Sequence, residues 1–525
     1  MTKGAVALVL HAHLPYVRSA EPGSLEEDWF FQALVESYLP LLETLEQAAN
    51  DPVCQAKLTI SLSPTLLTLF SASDLKQRFP IWLDQRLNLL PKADPSLRNA
   101  ADQLAYTFQR HLASWIACAG DLIGRFATLQ CQGVVDLLTC GATHGYLPLL
   151  RQPPEAVRGQ LRTSVREHQR LIGERPLGIW LPECAYYEGL DHWIRDAGLR
   201  YAVLDAHGLL YGQPRPRYGV YAPICSRKGV AFFGRDSKAT LPVWSARDGY
   251  PGDPNYREFH RDLGWDLPIE QLAPLGLNES RPLSLKLHRV TNYSAPLDKK
   301  QPYNPVIAAE RVKQHALEYL KGRCQQLDQL ETIMDVAPLL VAPFDAELFG
   351  HWWFEGPAFL GELLCQSHKE GVSFTRLCDV LNSSEQLQLC DPCPSSWGQG
   401  GYHNYWLNDS NSWVIPQWEK AAAAMVLRCS RGVARETDLA LLKQAARELL
   451  LAQSSDWSFI LRSGTTTKLA KKRIERHLGR FWRLMDAMDG NDILPGGWLK
   501  QVQNDDNIFP LIQPLDWNQL PTQSD

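Results

Sequence analysis

Six short apolar runs, separated by longer amphipathic stretches, constrain the fold of this chain more than any other feature. They are Ala5 to Leu10, Lys57 to Ser61, Val134 to Thr139, Leu177 to Leu181, Tyr201 to Leu204 and Leu339 to Pro343. Strand-length runs alternating with helical patterns mark βα units, which require a parallel sheet or barrel sheathed in helices. The stretch after the first run shows the helical half of the pattern. Ser24-Leu25-Glu26-Glu27 matches a capping box, and Phe30, Leu34, Tyr38, Leu42 and Leu45 follow at helical spacing. The fold class read from these patterns is α/β.

Two connections are too long to be simple crossovers. Residues at about 83–130 read as an inserted helical subdomain. Residues at about 208–286, rich in Gly, Pro, Tyr and Arg, read as a long loop region of the kind that carries function. From about 416 the pattern becomes helical throughout, at Ala421 to Cys429, Asp438 to Ala452 and Lys468 to Met488, with a punctuated tail from Asp505 to Asp525 lying on those helices. The expected units are a catalytic barrel over 1–415 and a C-terminal all-helical domain over 416–525. The first run is too short for a signal peptide, and no run reaches the ~18 to 20 apolar residues of a membrane-spanning helix, so a cytoplasmic protein with no membrane partner is expected. A net charge of −5 without any long Lys/Arg run argues against nucleic acid. The twelve cysteines are scattered, with a lone CxxC at Cys390 and Cys393 and no second pair at zinc-ribbon spacing, so reduced structural thiols are expected, and no cofactor is expected. A monomer or weak homo-oligomer is expected.

Chemistry in a barrel sits where strands end. The runs lead into His11-Ala12-His13, into Thr143-His144, into Trp180-Leu181-Pro182-Glu183, into Asp205-Ala206-His207, and into Asp345-Ala346-Glu347 ahead of His351-Trp352-Trp353. Two carboxylates at strand ends, Glu183 and Asp345, are what retaining glycoside chemistry needs: one attacks the anomeric carbon while the other donates and then recovers a proton. A cap or ion pair is the alternative for either one alone. The paired imidazoles of His11 and His13 raise a rival, a metal-dependent amidohydrolase-like barrel using His144, His207 and Asp345 as further ligands. Seventeen tryptophans, many beside Gly, His, Asp or Asn, favour a sugar-binding surface over that rival. The segment from Ser395 to Trp406 mixes aromatics with amides in that manner, and Trp29, Trp265 and Trp413 are candidates to extend the floor, with core packing as the alternative for each.

Five segments together resemble glycoside hydrolase family 57, and its 1,4-α-glucan branching enzymes in particular: HAHLPY at 11–16, GATHGY at 141–146, WLPECAYYEGLD at 180–191, APFDAELFGHWWFEGP at 342–357 and SSWGQGGYHNYW at 395–406. The resemblance runs on into the C-terminal helices. It implies an incomplete (β/α)7 barrel with a helical insertion and a helical C-terminal domain. It also implies α-glucan chains such as amylose or glycogen as substrate, Glu183 as nucleophile, Asp345 as general acid/base, and no catalytic metal. His11, His13 and His144 are implied to hold the sugar beside the bond being cut, with Trp265, Trp397 and Trp406 holding the glucan. Trp180, Asp205 and Trp352, in the same strand-end segments, complete the expected sugar-binding set. An α-amylase-type hydrolase on the same scaffold is the alternative. Transfer requires water to be kept from the intermediate, and Tyr211, Tyr218 and Tyr221 are candidates for the tip of a covering loop.

Overall fold

A computed structural model of the chain describes residues 4–18, 23–54, 56–245, 247–432 and 436–519. Seven parallel strands form the barrel: β1 (Ala5–Ala12), β2 (Leu58–Leu62), β3 (Val135–Leu138), β4 (Gly178–Ile179), β5 (Tyr201–Leu204), β6 (Ala231–Gly234) and β7 (Leu339–Asp345). One sheet holds β3, β2, β1 and β7, and a second begins β4, β5, β6. Only single bridges join the two, Thr139 pairing Ile179 and Arg235 pairing Val341, so the ring closes weakly at both seams. This is the expected incomplete (β/α)7 barrel. β6 lies inside the stretch expected to be a loop, because four apolar residues framed by Gly229 and Gly234 are too few to stand out from a Gly/Pro-rich background.

Side chains alternate along each strand, which fixes what reaches the barrel interior. Ala7 and Val9 on β1 pack inside with Leu138, Val203, Phe233 and Val341, while Val6, Leu8 and Leu10 belong to the larger core shared with the surrounding helices. Continuing the inward set past Val9 and Val341 brings His11 and Asp345 to the mouth, and these two are register partners across the β1–β7 pair. Leu377 plugs the opposite end, within a segment where Leu377 N–H donates to Thr59 Oγ1 at 3.0 Å.

Ser24 caps the Leu25–Ala33 helix by accepting from Glu27 N–H, as the capping box predicts. The inserted region carries helices Arg98–Ala117 and Leu122–Cys131. The C-terminal region consists of helices Ile415–Ser430, Glu436–Ala452, Ser455–Ser463, Thr467–Asp489 and Trp498–Asp505. The tail after them reaches back to the barrel: Trp517 is fully buried against Gly159, where an added Cβ would meet the indole at 2.3 Å. The last residues of the expected tail, 520–525, lie outside the described residues. No single helix among the described residues is long and apolar enough to cross a membrane. The expectation of twelve reduced cysteines is corrected. Cys54 and Cys365, 311 residues apart in sequence with Cα atoms 4.4 Å apart, form a disulfide; Cys118, Cys131, Cys140, Cys184, Cys225, Cys378, Cys390, Cys393 and Cys429 keep free thiols. Long-range pairing of this kind leaves no trace in local spacing.

Candidate active site

The strand ends open into a cavity of about 520 Å³ lined by His11, His13, His144, Glu183, Asp345, Trp397 and Trp406, all of them expected. Three imidazoles form its floor. His11 Nε2 lies 3.0 Å from His144 Nε2, and the His13 and His144 rings stack at 4.0 Å with 11° between planes. Trp180, fully buried, stacks beneath His11 at 4.9 Å, so it supports the floor instead of lining the cavity. Each histidine is tied down by hydroxyls. His11 Nδ1 meets Ser61 Oγ at 3.2 Å, His13 Nδ1 meets Ser63 Oγ at 2.9 Å, and His144 Nδ1 meets Ser455 Oγ at 2.8 Å. Burial, together with the neighbouring imidazoles, pushes the His11 and His144 pKa values well below the ordinary histidine range.

Glu183 projects from the turn Pro182–Cys184 with φ 63° and ψ 23°, followed by Cys184 at φ 50°; His144 sits at φ 56°. Non-glycine residues in this left-handed region cost roughly 1–3 kcal/mol each and persist where the surroundings hold a functional side chain in place. The indole N–H of Trp397 donates to Glu183 Oε2 at 2.8 Å. Burial raises the Glu183 carboxyl to about 8; the Trp397 bond opposes the shift and Asp345 adds to it. Asp345 is raised by burial to about 6, with His13 and Arg235 pulling it back. A third carboxyl, Glu347, accepts from Tyr38 O–H and from His13 N–H, and burial with Asp345 nearby lifts it to about 8. The cleft therefore holds carboxyls that differ in proton affinity, the kind of contrast from which acid and base roles are built.

Residues 7–265 match the family profile described as "Glycosyl hydrolase family 57", and residues 417–517 match that described as "1,4-alpha-glucan branching enzyme, C-terminal". The 1,4-alpha-glucan branching enzyme TK1436 of Thermococcus kodakarensis is 32% identical over 518 residues, covering 93% of this chain and 74% of that one. The chain belongs to glycoside hydrolase family 57. Two solved structures share the whole architecture. The alpha-amylase AmyC from Thermotoga maritima superposes with a TM-score of 0.91 at 33% identity, covering 99% of this chain and 100% of the other. A GH57-type branching enzyme from Pyrococcus horikoshii superposes at 0.89 with 30% identity, covering 99% and 98%.

Within this family 57 site, not every expected residue reaches the cavity. Trp265 and Trp352 are 51% and 55% exposed outside it, Trp352 stacking on Phe259 at 4.6 Å. Asp205 caps the next helix by accepting from Ala206 N–H at 2.7 Å. Trp413 opens a separate cavity with Gln417 and Leu461, and Tyr211, Tyr218 and Tyr221 do not line the cleft. His207, which the metal-dependent rival needs, is bonded to the Gly401 carbonyl at 2.8 Å and is also absent from the lining. Two donor groups assemble at the cleft instead, His13 with His144 and Asp456, and His11 with Cys140 and His144, each with ligand atoms within 4.8 Å of one another. Sequence reasoning missed Arg235, Trp244, Asp456 and Phe459 and gave no role to Glu347 and Tyr405 within their segments; all six line the cavity. Arg235 follows the unrecognised β6 directly. Asp456 and Phe459 come from the helical domain, and only their position after a predicted helix end marked them.

Proposed function

We propose that this protein is a 1,4-α-glucan branching enzyme acting by retaining double displacement. The observation that carries the reading is that one cavity is built jointly by the family 57 barrel, which supplies Glu183 and Asp345, and by the segment matching a branching-enzyme C-terminal domain, which supplies Asp456 and Phe459. The aromatic walls, Trp244, Trp397, Trp406 and Phe459, suit the faces of glucose rings, and the polar floor suits their hydroxyls. Glu183 attacks C1 of an α-1,4-linked glucose while Asp345 protonates the departing O4, leaving a covalent glycosyl-enzyme. Asp345 then takes the proton of a 6-hydroxyl on an acceptor chain, and that oxygen displaces Glu183 to give an α-1,6 branch with the anomeric configuration retained. His11, His13 and His144 hold the sugar at the reacting bond.

The likeness to AmyC supports a second reading, hydrolysis on the same scaffold, and one experiment separates the two. Amylose is incubated with the protein and followed by proton NMR, with Glu183→Gln as the blank. A growing α-1,6 anomeric signal with few new reducing ends is the expected result; reducing ends without α-1,6 signal would establish the hydrolase. We place the activity in the cytoplasm, in a monomer or weak homo-oligomer, without a metal. Cell fractionation, sedimentation and activity after chelation test these three points in turn.

A further inference from the structure

The helical domain does more than wall the cleft: it touches two of the three floor histidines through consecutive residues. Ser455 Oγ lies 2.8 Å from His144 Nδ1, and Asp456 Oδ2 lies 3.0 Å from His13 Nε2. Ser454 O–H donates to the same Asp456 oxygen at 2.5 Å, and Ser454 bridges to Gly145, so the contact is anchored in backbone. Burial works to raise the Asp456 carboxyl, but His13, His144 and the Ser454 bond outweigh it and hold it at about 2. Asp456 is therefore an ionised acceptor, and a carboxylate that can only accept requires a hydrogen on His13 Nε2.

The hydrogen bonds of the other two rings form a directed chain. Ser61 O–H donates to the Thr139 carbonyl at 3.3 Å, which leaves Ser61 Oγ to accept from His11 Nδ1–H. A neutral His11 with its hydrogen on Nδ1 has a bare Nε2, so His144 must donate its Nε2–H across the 3.0 Å contact. His144 Nδ1 is then bare and accepts from Ser455 O–H. One end of the chain is fixed by a barrel carbonyl and the other by the helical domain.

We propose that Ser455 and Asp456 are positioning residues of the catalytic centre: Asp456 fixes the orientation and the Nε2 hydrogen of His13, and Ser455 fixes the tautomer of His144 and, through it, of His11. The helical domain thereby fixes the orientation and hydrogen positions of the histidine floor on which the sugar rests. Only the kinetic part of this proposal rests on the branching reading.

The test uses the full chain in three variants, Asp456→Asn, Asp456→Glu and Ser455→Ala. Ring tautomers are read by long-range 15N–1H correlation in protein labelled at its 14 histidines, and turnover on amylose is read alongside. Misplacing a catalytic group by about 1 Å costs roughly 100-fold in rate. Asp456→Asn is therefore expected to lower kcat by about that factor with KM little changed, and Asp456→Glu to recover part of it. Ser455→Ala is expected to shift the His144 and His11 resonances towards a mixture of tautomers. Melting temperatures identify any variant that fails to fold, and Ser455→Ala then carries the test. Unchanged ring resonances and unchanged kcat would overturn the proposal. Shifted resonances in a protein that makes no α-1,6 bonds would uphold the positioning role and overturn the branching reading.

Discussion

Replacing Trp397 by Phe keeps a flat ring in the cleft wall and removes one N–H, the donor 2.8 Å from Glu183 Oε2. Its consequence follows from how the carboxyl pair shares protons. Glu183 lies at about 8 and Asp345 at about 6, so between those values the pair holds one proton, mostly on Glu183. The proposed reaction needs that proton on Asp345, a form that makes up roughly 1% of the singly protonated pair at a 2-unit difference. The pH profile of kcat/KM is then a bell with limbs near 6 and 8. A hydrogen bond to a charged group is worth roughly 1.5–3 kcal/mol, which corresponds to about 1–2 pKa units. The bond favours the Glu183 carboxylate, so losing it raises the Glu183 pKa. The alkaline limb therefore moves up by about 1–2 units, the acid limb, set by Asp345, stays near 6, and the plateau falls roughly 10- to 100-fold as the productive form becomes rarer. The assay is kcat/KM for branching of amylose from pH 4 to 11, on wild type and variant. An alkaline limb that stays put or moves down, or a plateau that does not fall, would refute the reasoning.

Three further outcomes are expected. Asp345→Asn should lose roughly 10²–10⁴-fold in rate, and added azide should restore turnover by intercepting the glycosyl-enzyme to give an α-glucosyl azide, identified by NMR; a β-azide would exchange the roles of Glu183 and Asp345. Gly350→Ala should destabilise the protein by about 3 kcal/mol or more, because Gly350 has φ 115° and a Cβ there would sit 1.8 Å from the Glu36 carbonyl oxygen; a melting temperature equal to wild type would contradict this. Reducing the Cys54–Cys365 disulfide should cost roughly 2–5 kcal/mol, measured by denaturant unfolding with and without reductant. Cys390→Ser, a free thiol in the same chain, should show the same reductant response as wild type.

The sequence made most of the barrel and its reacting carboxyls legible because both obey local rules. Six of the seven strands are bounded to within about two residues at each end, and β4 stops two residues short of its run because the chain turns at Pro182 to present Glu183. β6 was lost for want of length, and with it Arg235, whose charge is felt by Asp345. Asp456 was lost for a different reason: it is an ordinary acidic residue in the first turn of an ordinary helix until the chain folds back over more than 440 residues to meet His13. Trp265 and Trp352 show a different limit: their neighbours in sequence mark them as sugar-binding, the structure leaves both about half exposed outside the cavity, and nothing in local spacing reveals which way a loop tryptophan turns.

The charges that converge on the cavity give the site a common purpose. Near neutral pH Asp456 at about 2 and Asp345 at about 6 are ionised, while Glu183 and Glu347, both at about 8, hold protons. Arg235 is the one permanent cation among the lining residues, and His11 and His144 are held neutral by burial. Two ionised carboxylates against one guanidinium among the lining residues leave the cleft poised for positive charge, and the oxocarbenium-like transition state of glycosyl transfer places that charge at C1, beside Glu183. As it develops, it lowers the proton affinity of Glu183 more than that of any group farther away, driving the pair towards the carboxylate on Glu183 and the proton on Asp345. The order of proton affinities among the cleft's own groups, the reverse of what the reaction needs, is thus corrected by the charge of the transition state itself, and binding energy is directed to that state in preference to the resting substrate.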